Sequence, residues 1–321
     1  MPLVDKPLSE LRSYQGLNAR PDDFDTYWDR AIAEMRAVDP SVELRPAIFK
    51  AHFAECFDLY FTGVKGARIH AKLLLPKRID AKVPAVVHFH GYSGRSQDWS
   101  DLISYPARGY VTASLDVRGQ AGESEDVGGV RGNTLHGHII RGLEHGPEQL
   151  LYRSIFLDCA QLAGLVMAMP EVDASRVGTN GGSQGGALSL ACAALEPRVA
   201  RCATMYPFLC DYRRVWEMDL AKDAYHELRN FFRMFDPTHE QIDEWFRRLG
   251  YIDIQHLAPR IKANVLLACG LMDTVCPPSS QFAAYNKIVS AKEMVIYPDY
   301  AHEGLPGWGD RVYAFFEGLR G

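Results

Sequence analysis

No stretch of this chain approaches the run of about 20 apolar residues that spans a bilayer as a helix. Its opening residues, Met1-Pro2-Leu3-Val4-Asp5-Lys6-Pro7, hold neither a basic cluster nor an apolar core. A secretory leader is therefore not expected there, and the expected setting is cytoplasmic. Charge of one sign is not in excess either. Lys and Arg number 35 against 40 Asp and Glu, and the net −5 is spread without blocks, which argues against nucleic acid and anionic membranes as partners. Cysteine is sparse: Cys56, Cys159, Cys192, Cys202, Cys210, Cys269 and Cys276 are odd in number, scattered, and several sit in apolar runs. That pattern excludes a disulfide framework and reads as reduced, buried thiols. Internal repeats and low-complexity tracts are absent. His88/His90 and His136/His138 stand two residues apart with no Cys or carboxylate set at ligand spacing beside them, so neither metal nor cofactor is expected.

What is present is 321 residues of which 47% are apolar, enough to bury a large core, and the expectation is a single domain over residues 1–321. Apolar strand-like runs alternate with helical segments, the pattern of an α/β fold with a mostly parallel central sheet and helices on both faces. An N-terminal helical extension over 1–40 contains a helix entered at Pro21-Asp22-Asp23, its apolar face formed by Phe24, Tyr27, Trp28, Ala31 and Met35. The alternating runs 56–61 and 68–73 predict antiparallel strands leading into the parallel core. Two segments break the alternation. Residues 121–149, rich in Gly, His and charge, read as a long functional loop. Residues 209–259 carry helical signals at 219–235 and 237–249, and predict a helical insertion that serves as a lid over the site or as a subunit contact.

The chemistry is concentrated at Gly181-Gly182-Ser183-Gln184-Gly185-Gly186, between the strand-like Val177-Gly178-Thr179-Asn180 and a small-residue helix. Gly-x-Ser-x-Gly in this context is a sharp strand-to-helix turn that lifts the central serine above the sheet, at a helix N-terminus favouring negative charge. Two partners follow. Asp273 lies just past the apolar strand 264–270, before a helix that Ser279-Ser280 would cap. His302 lies past the strand 293–297. All three would occupy the carboxyl edge of one sheet, where open α/β sheets place their sites. The chain order Ser183, Asp273, His302 is that of the α/β-hydrolases. A serine hydroxyl needs a base as it attacks a carbonyl, imidazole supplies it, and a buried carboxylate sets the imidazole tautomer. One oxyanion donor is expected at the Gln184 backbone N–H. The other is assigned to the backbone N–H of Tyr92, in His90-Gly91-Tyr92 after a buried strand. The Tyr92 ring would wall the acyl pocket or simply pack in the loop. Cys276 also lies near the site, but off the sharp turn, and is not expected to be the nucleophile. The triad implies acyl transfer without choosing among ester, thioester and peptide.

Arg118-Gly119-Gln120, the Gly181–Gly186 turn and His302-Glu303 together form an RGQ…GxSQG…HE triplet. In this the chain resembles the cephalosporin C deacetylase/acetyl xylan esterase family, carbohydrate esterase family 7. The likeness extends to Pro7-Leu8-Ser9-Glu10-Leu11, His90-Gly91-Tyr92, Tyr206-Pro207-Phe208-Leu209, Tyr251-Ile252-Asp253, Gly270-Leu271-Met272-Asp273 and Cys276-Pro277-Pro278-Ser279. The resemblance implies Ser183, Asp273 and His302 as triad, with Tyr92 and Gln184 at the oxyanion site. It also implies deacetylation of small acetylated sugars, short xylo-oligosaccharides and cephalosporin C. A homo-oligomer, a hexamer built as a trimer of dimers, is implied in the same way. Bulky Tyr92 and Tyr206-Pro207-Phe208 would bind substrate and cap a short acyl pocket. Arg118, Gln120 and Glu303 are expected behind the reacting groups, with Arg118 and Glu303 paired to fix the histidine loop. Two alternatives stand beside this reading: a peptidase of the prolyl-oligopeptidase type, and a catalytically silent binding module.

Overall fold

A nine-stranded sheet forms the centre of the molecule, in the order β1-β2-β3-β5-β4-β6-β7-β8-β9. The strands are β1 (Glu43–Pro46), β2 (Ala54–Thr62), β3 (Arg68–Pro76), β4 (Val83–Phe89), β5 (Val111–Leu115), β6 (Val172–Gly182), β7 (Arg201–Met205), β8 (Asn264–Gly270) and β9 (Lys292–Tyr297). The computed structural model describes residues 4–127 and 133–321, so residues 128–132 of the expected 121–149 loop lie outside the described residues. The first three strands pair antiparallel, β3 joins β5 antiparallel, and all pairs from β5 to β9 are parallel. The α/β arrangement, the mostly parallel sheet and the antiparallel entry match the expectation from the sequence.

The parallel strands are apolar on both faces because helices cover both. Along β4, Ala85, Val87 and Phe89 pack on one side with Phe156, Leu188 and Ala191. Val86, pointing the other way, packs with Trp308, Val312 and Phe316. The first group belongs to the helices Leu151–Met167 and Gln184–Leu195, the second to the helix Trp308–Glu317. The N-terminal residues pack onto the same body. Trp28 stacks on Phe156 with centroids 5.9 Å apart and donates its indole N–H to the Tyr251 carbonyl at 3.0 Å. Asp211, at φ 49°, accepts from the Leu17 and Asn18 N–H groups and from the Tyr14 hydroxyl.

Three local expectations are corrected. The helix foreseen over 219–235 begins only at His226, because Asp219 and Asp223 adopt left-handed φ values of 57° and 49° that no continuing α-helix allows. The helix foreseen over 237–249 begins at Ile242; before it, the Asp236 carboxylate accepts from the Glu240 and Gln241 N–H groups and holds a turn. Ser279 and Ser280 do not cap the helix after β8. That helix starts at Pro278, and the Asp5 carboxylate, 274 residues away in the chain, accepts the Ser279 N–H at 2.6 Å.

Candidate active site

The turn at the end of β6 is set by backbone crowding. Ser183 is held at φ 57°, ψ −120°, a conformation L-residues rarely adopt. A Cβ at Gly181 would strike the Gly185 backbone, and one at Gly185 would strike the carbonyl of Phe89 on β4. Glycine at both positions is therefore required, which explains the motif in physical terms. Ser183 is locked by its own peptide groups: its N–H donates to Met205 O at 3.0 Å, and its carbonyl accepts from Phe208 N at 3.0 Å.

The three groups singled out by chain order meet here. The Ser183 hydroxyl lies 3.0 Å from His302 Nε2, and His302 Nδ1 lies 2.8 Å from Asp273 Oδ2. Asp273 is fully buried, and its other oxygen accepts from the Val275 and Cys276 N–H groups, each at 2.8 Å. With Nδ1–H donating to this carboxylate, Nε2 is left as the acceptor of the serine proton. The Tyr206 ring lies 4.3 Å, centroid to centroid, from the imidazole and covers one side of it.

Two backbone N–H groups, those of Gln184 and Tyr92, are the candidates to meet a developing oxyanion. Gln184 opens its helix, so its N–H has no intrahelical acceptor. The Gly91 carbonyl accepts from His90 Nδ1–H at 2.7 Å, from Gly94 N–H at 3.1 Å and from the Gln184 side-chain amide at 3.3 Å. His90 Nε2 in turn accepts the Val117 N–H at 3.0 Å, and burial lowers the imidazole pKa, which keeps the ring neutral. In a planar trans peptide, C=O and N–H point opposite ways. Tying down the Gly91 carbonyl therefore aims the Tyr92 N–H away from those partners. Among the described residues that N–H meets no acceptor.

The remaining sequence candidates fall into distinct places. Gln120 forms an amide–amide pair with Gln184, at 2.7 and 3.0 Å, and the buried Tyr152 hydroxyl donates to the same Gln184 oxygen at 2.7 Å. The Tyr92 ring is packed edge-on to Phe208 and His138, and its hydroxyl donates to Glu227. Phe208 and Pro207 are buried, Phe208 lying 4.3 Å from the Tyr225 ring. Arg118 and Glu303 are not paired. The Arg118 guanidinium makes a two-pronged bond to Asp158, 2.6 Å on each side, and both side chains are 1% exposed. Glu303 is exposed and accepts the Ala301 N–H of its own loop at 3.0 Å. Asp158 sits within the apolar helix Leu151–Met167, where nothing in the local pattern marks it as an ion-pair partner.

Sequence reasoning missed Glu227, Tyr152 and the service of His90. A buried glutamate in the first turn of a helical insertion carries no motif. The paired glutamines of RGQ and GxSQG were a usable signal for the amide pair. Burial pushes the Glu227 carboxyl up to about 7 from an ordinary 4.5, its hydrogen bonds pulling the other way. The folded protein then keeps a proton that the unfolded chain has released, so this group's contribution to stability falls as pH rises from about 4.5 to about 7. Relative to Glu227→Gln, the native protein is expected to lose up to about 3 kcal/mol between pH 5 and pH 8. Urea unfolding of both at the two pH values checks this; a constant difference would contradict it.

Asp273, Cys276 and His302 are the three metal-capable donors that lie together among the described residues, with ligand atoms within 4.8 Å of one another. Two of them already serve the Ser183 relay. Burial pushes the Cys276 thiol well up, so it stays protonated and a poor nucleophile. No described helix is long and apolar enough to cross a membrane.

The model of one known family, acetyl xylan esterase (AXE1), matches residues 1–319. The chain belongs to the acetyl xylan esterase family. It is similar to acetyl xylan esterase 1 of Thermoanaerobacterium sp. JW/SL YS485, with 59% identity, a TM-score of 0.96, and 99% of this chain and 100% of that one covered. It is also similar to an acetyl xylan esterase of Paenibacillus sp. R4, with 35% identity, a TM-score of 0.92, and 98% and 99% covered. Acetyl esterase Axe7A of Xylanibacter ruminicola is 27% identical over 290 residues, covering 88% of this chain. The chain spans 63% of the length of that relative. As a member of this family it has the α/β-hydrolase fold.

Proposed function

We propose that this protein is a serine esterase that removes acetyl groups from small acetylated carbohydrates, xylo-oligosaccharides among them, and from cephalosporin C, through an acyl-enzyme. The observation that carries the reading is the continuous relay from Ser183 through His302 to Asp273. The Gln184 N–H at its helix start and the Tyr92 N–H, which meets no acceptor among the described residues, support it. In this reading His302 Nε2 takes the Ser183 proton as Oγ attacks the acetyl carbonyl. The Tyr92 and Gln184 N–H groups receive the oxyanion, and His302 then protonates the departing sugar oxygen, which leaves as a hydroxyl. Water repeats the cycle and releases acetate. Asp273 steadies the imidazolium throughout. The gene products named as acetyl esterases among its relatives support the acetyl assignment, and the buried Phe208 and covering Tyr206 support a short acyl limit.

An assembly as a hexamer, a trimer of dimers, rests on the family resemblance, and light scattering of the purified protein tests it. A reducing, cytoplasmic setting is supported by seven free cysteines, all buried. The substrate reading is tested with p-nitrophenyl esters from acetate to octanoate, alongside acetylated xylobiose, cephalosporin C and a proline-containing peptide anilide. In a filled pocket each added methylene costs about 1–3 kcal/mol. Rates are therefore expected to fall about fivefold or more for each carbon beyond propanoate, with acetate released from the sugar or the antibiotic. Preference for the longer esters or the anilide would overturn the substrate, leaving acyl transfer in place.

A further inference from the structure

Glu227 is a buried carboxylate that takes no part in the proposed reaction. It stands in the first turn of the helix His226–Phe235, in the segment between β7 and β8, and is 6% exposed. Its oxygens are divided between two other parts of the chain. Oε1 accepts the Tyr92 hydroxyl, 135 residues away, and Oε2 accepts the backbone N–H groups of Ile139 at 2.7 Å and Ile140 at 3.1 Å. All three donors are neutral. The nearby Arg141 is committed to Asp126 at 2.8 Å and to Thr134. A buried carboxylate without an ion pair is costly to keep, so its contacts call for a reason beyond stability.

Tyr92 supplies that reason. Its peptide end is fixed by the Gly91 carbonyl, which three donors hold, and its ring end is fixed by Glu227. Only two side-chain torsions separate the hydroxyl from the backbone, and the ring is confined by Phe208 at 5.6 Å and His138 at 5.1 Å. A ring held at its hydroxyl and against two aromatic neighbours restrains the Tyr92 Cα, and that Cα is bonded to the nitrogen whose N–H the proposed reaction uses.

We infer that Glu227 is a positioning residue for the oxyanion corner: by gripping the Tyr92 hydroxyl and the Ile139–Ile140 backbone together, it holds the Tyr92 N–H in its productive direction. The helical segment between β7 and β8 thereby becomes part of the catalytic geometry rather than a cover alone. The inference rests on the proposed role of the Tyr92 N–H as oxyanion donor. Losing or misaiming one such donor costs about 10²–10³-fold, and a shift of about 1 Å costs about 10²-fold.

The test uses steady-state hydrolysis of p-nitrophenyl acetate by the full-length protein and by Ser183→Ala, Glu227→Ala, Glu227→Gln, Tyr92→Phe and Glu227→Ala/Tyr92→Phe, with a thermal melt of each. Expected are an inactive Ser183→Ala and a kcat lowered about 10–100-fold in Glu227→Ala with KM moved less than about threefold. Glu227→Gln, which keeps one acceptor oxygen, is expected to retain more kcat than Glu227→Ala. The double variant is expected to be no slower than Glu227→Ala alone, since both changes break one link. A kcat near the native value in Glu227→Ala, or effects that multiply in the double variant, would overturn the inference while an inactive Ser183→Ala left the esterase reading standing. Substantial activity in Ser183→Ala would remove both. Should Glu227→Ala fail to fold, Tyr92→Phe breaks the same link from its other end, and a native kcat in that variant would be equally fatal.

Discussion

Ser183→Ala is expected to lower kcat on p-nitrophenyl acetate by about 10⁴–10⁶-fold without unfolding the protein. Alanine removes the attacking oxygen and nothing else. The elbow is held by backbone bonds, from Ser183 N–H to Met205 O and from Phe208 N–H to Ser183 O, which alanine retains. The proposed oxyanion donors, both backbone N–H groups, also survive, so a small residual rate above water is expected rather than none. Asp273→Asn should cost about 10⁴-fold by a different route. An amide at Asp273 still meets the Val275 and Cys276 N–H groups through oxygen but turns its NH₂ toward His302 Nδ1, favouring the wrong imidazole tautomer. Because the three residues act as a unit, adding His302→Ala to Ser183→Ala should change little further. Single-turnover rates with purified variants decide the matter. A Ser183→Ala protein within about 100-fold of native would contradict the whole relay.

The second large effect is on stability. Arg118→Met is expected to destabilise the fold by about 3–5 kcal/mol, because it leaves the Asp158 carboxylate buried without its counter-ion. Burial pushes that carboxyl up while Arg118 holds it back, so the variant should also bind a proton there on folding. In a chain of this size the melting temperature should drop by about 5–10 °C. Replacing both partners, as in Arg118→Met/Asp158→Leu, should restore most of the loss, since a buried pair exchanged for apolar groups is often close to neutral. The kcat of the folded Arg118→Met protein should stay within about threefold of native, since neither prong reaches the histidine loop. Unchanged melting with a collapsed kcat would reinstate Arg118 as a support of His302.

Much of the site could be read from the chain because it follows from local constraints. Gly181 and Gly185 are dictated by how closely one turn passes its own backbone and β4. Asp273 and His302 each follow a short apolar run that reads as a strand, and parallel strands bring their carboxyl ends to one edge. The misreadings share another character. Helix starts at 226 and 242 depended on left-handed residues and a side-chain turn inside segments whose apolar periodicity continues through them. Ser279-Ser280 looked like a cap until Asp5 took that place.

The sequence by itself determined the order of the sheet-forming runs, the elbow, and which serine, aspartate and histidine are the triad candidates, since each is written in neighbouring residues and in chain order. Tertiary structure decided the partners: Arg118 with Asp158 and Tyr92 with Glu227, which no motif marks, and Gln120 with Gln184, at which the two motif glutamines only hint. Those pairs join residues 40, 64 and 135 positions apart. A buried polar group takes whichever complementary group the packing brings within about 3 Å, and packing is a property of the whole fold.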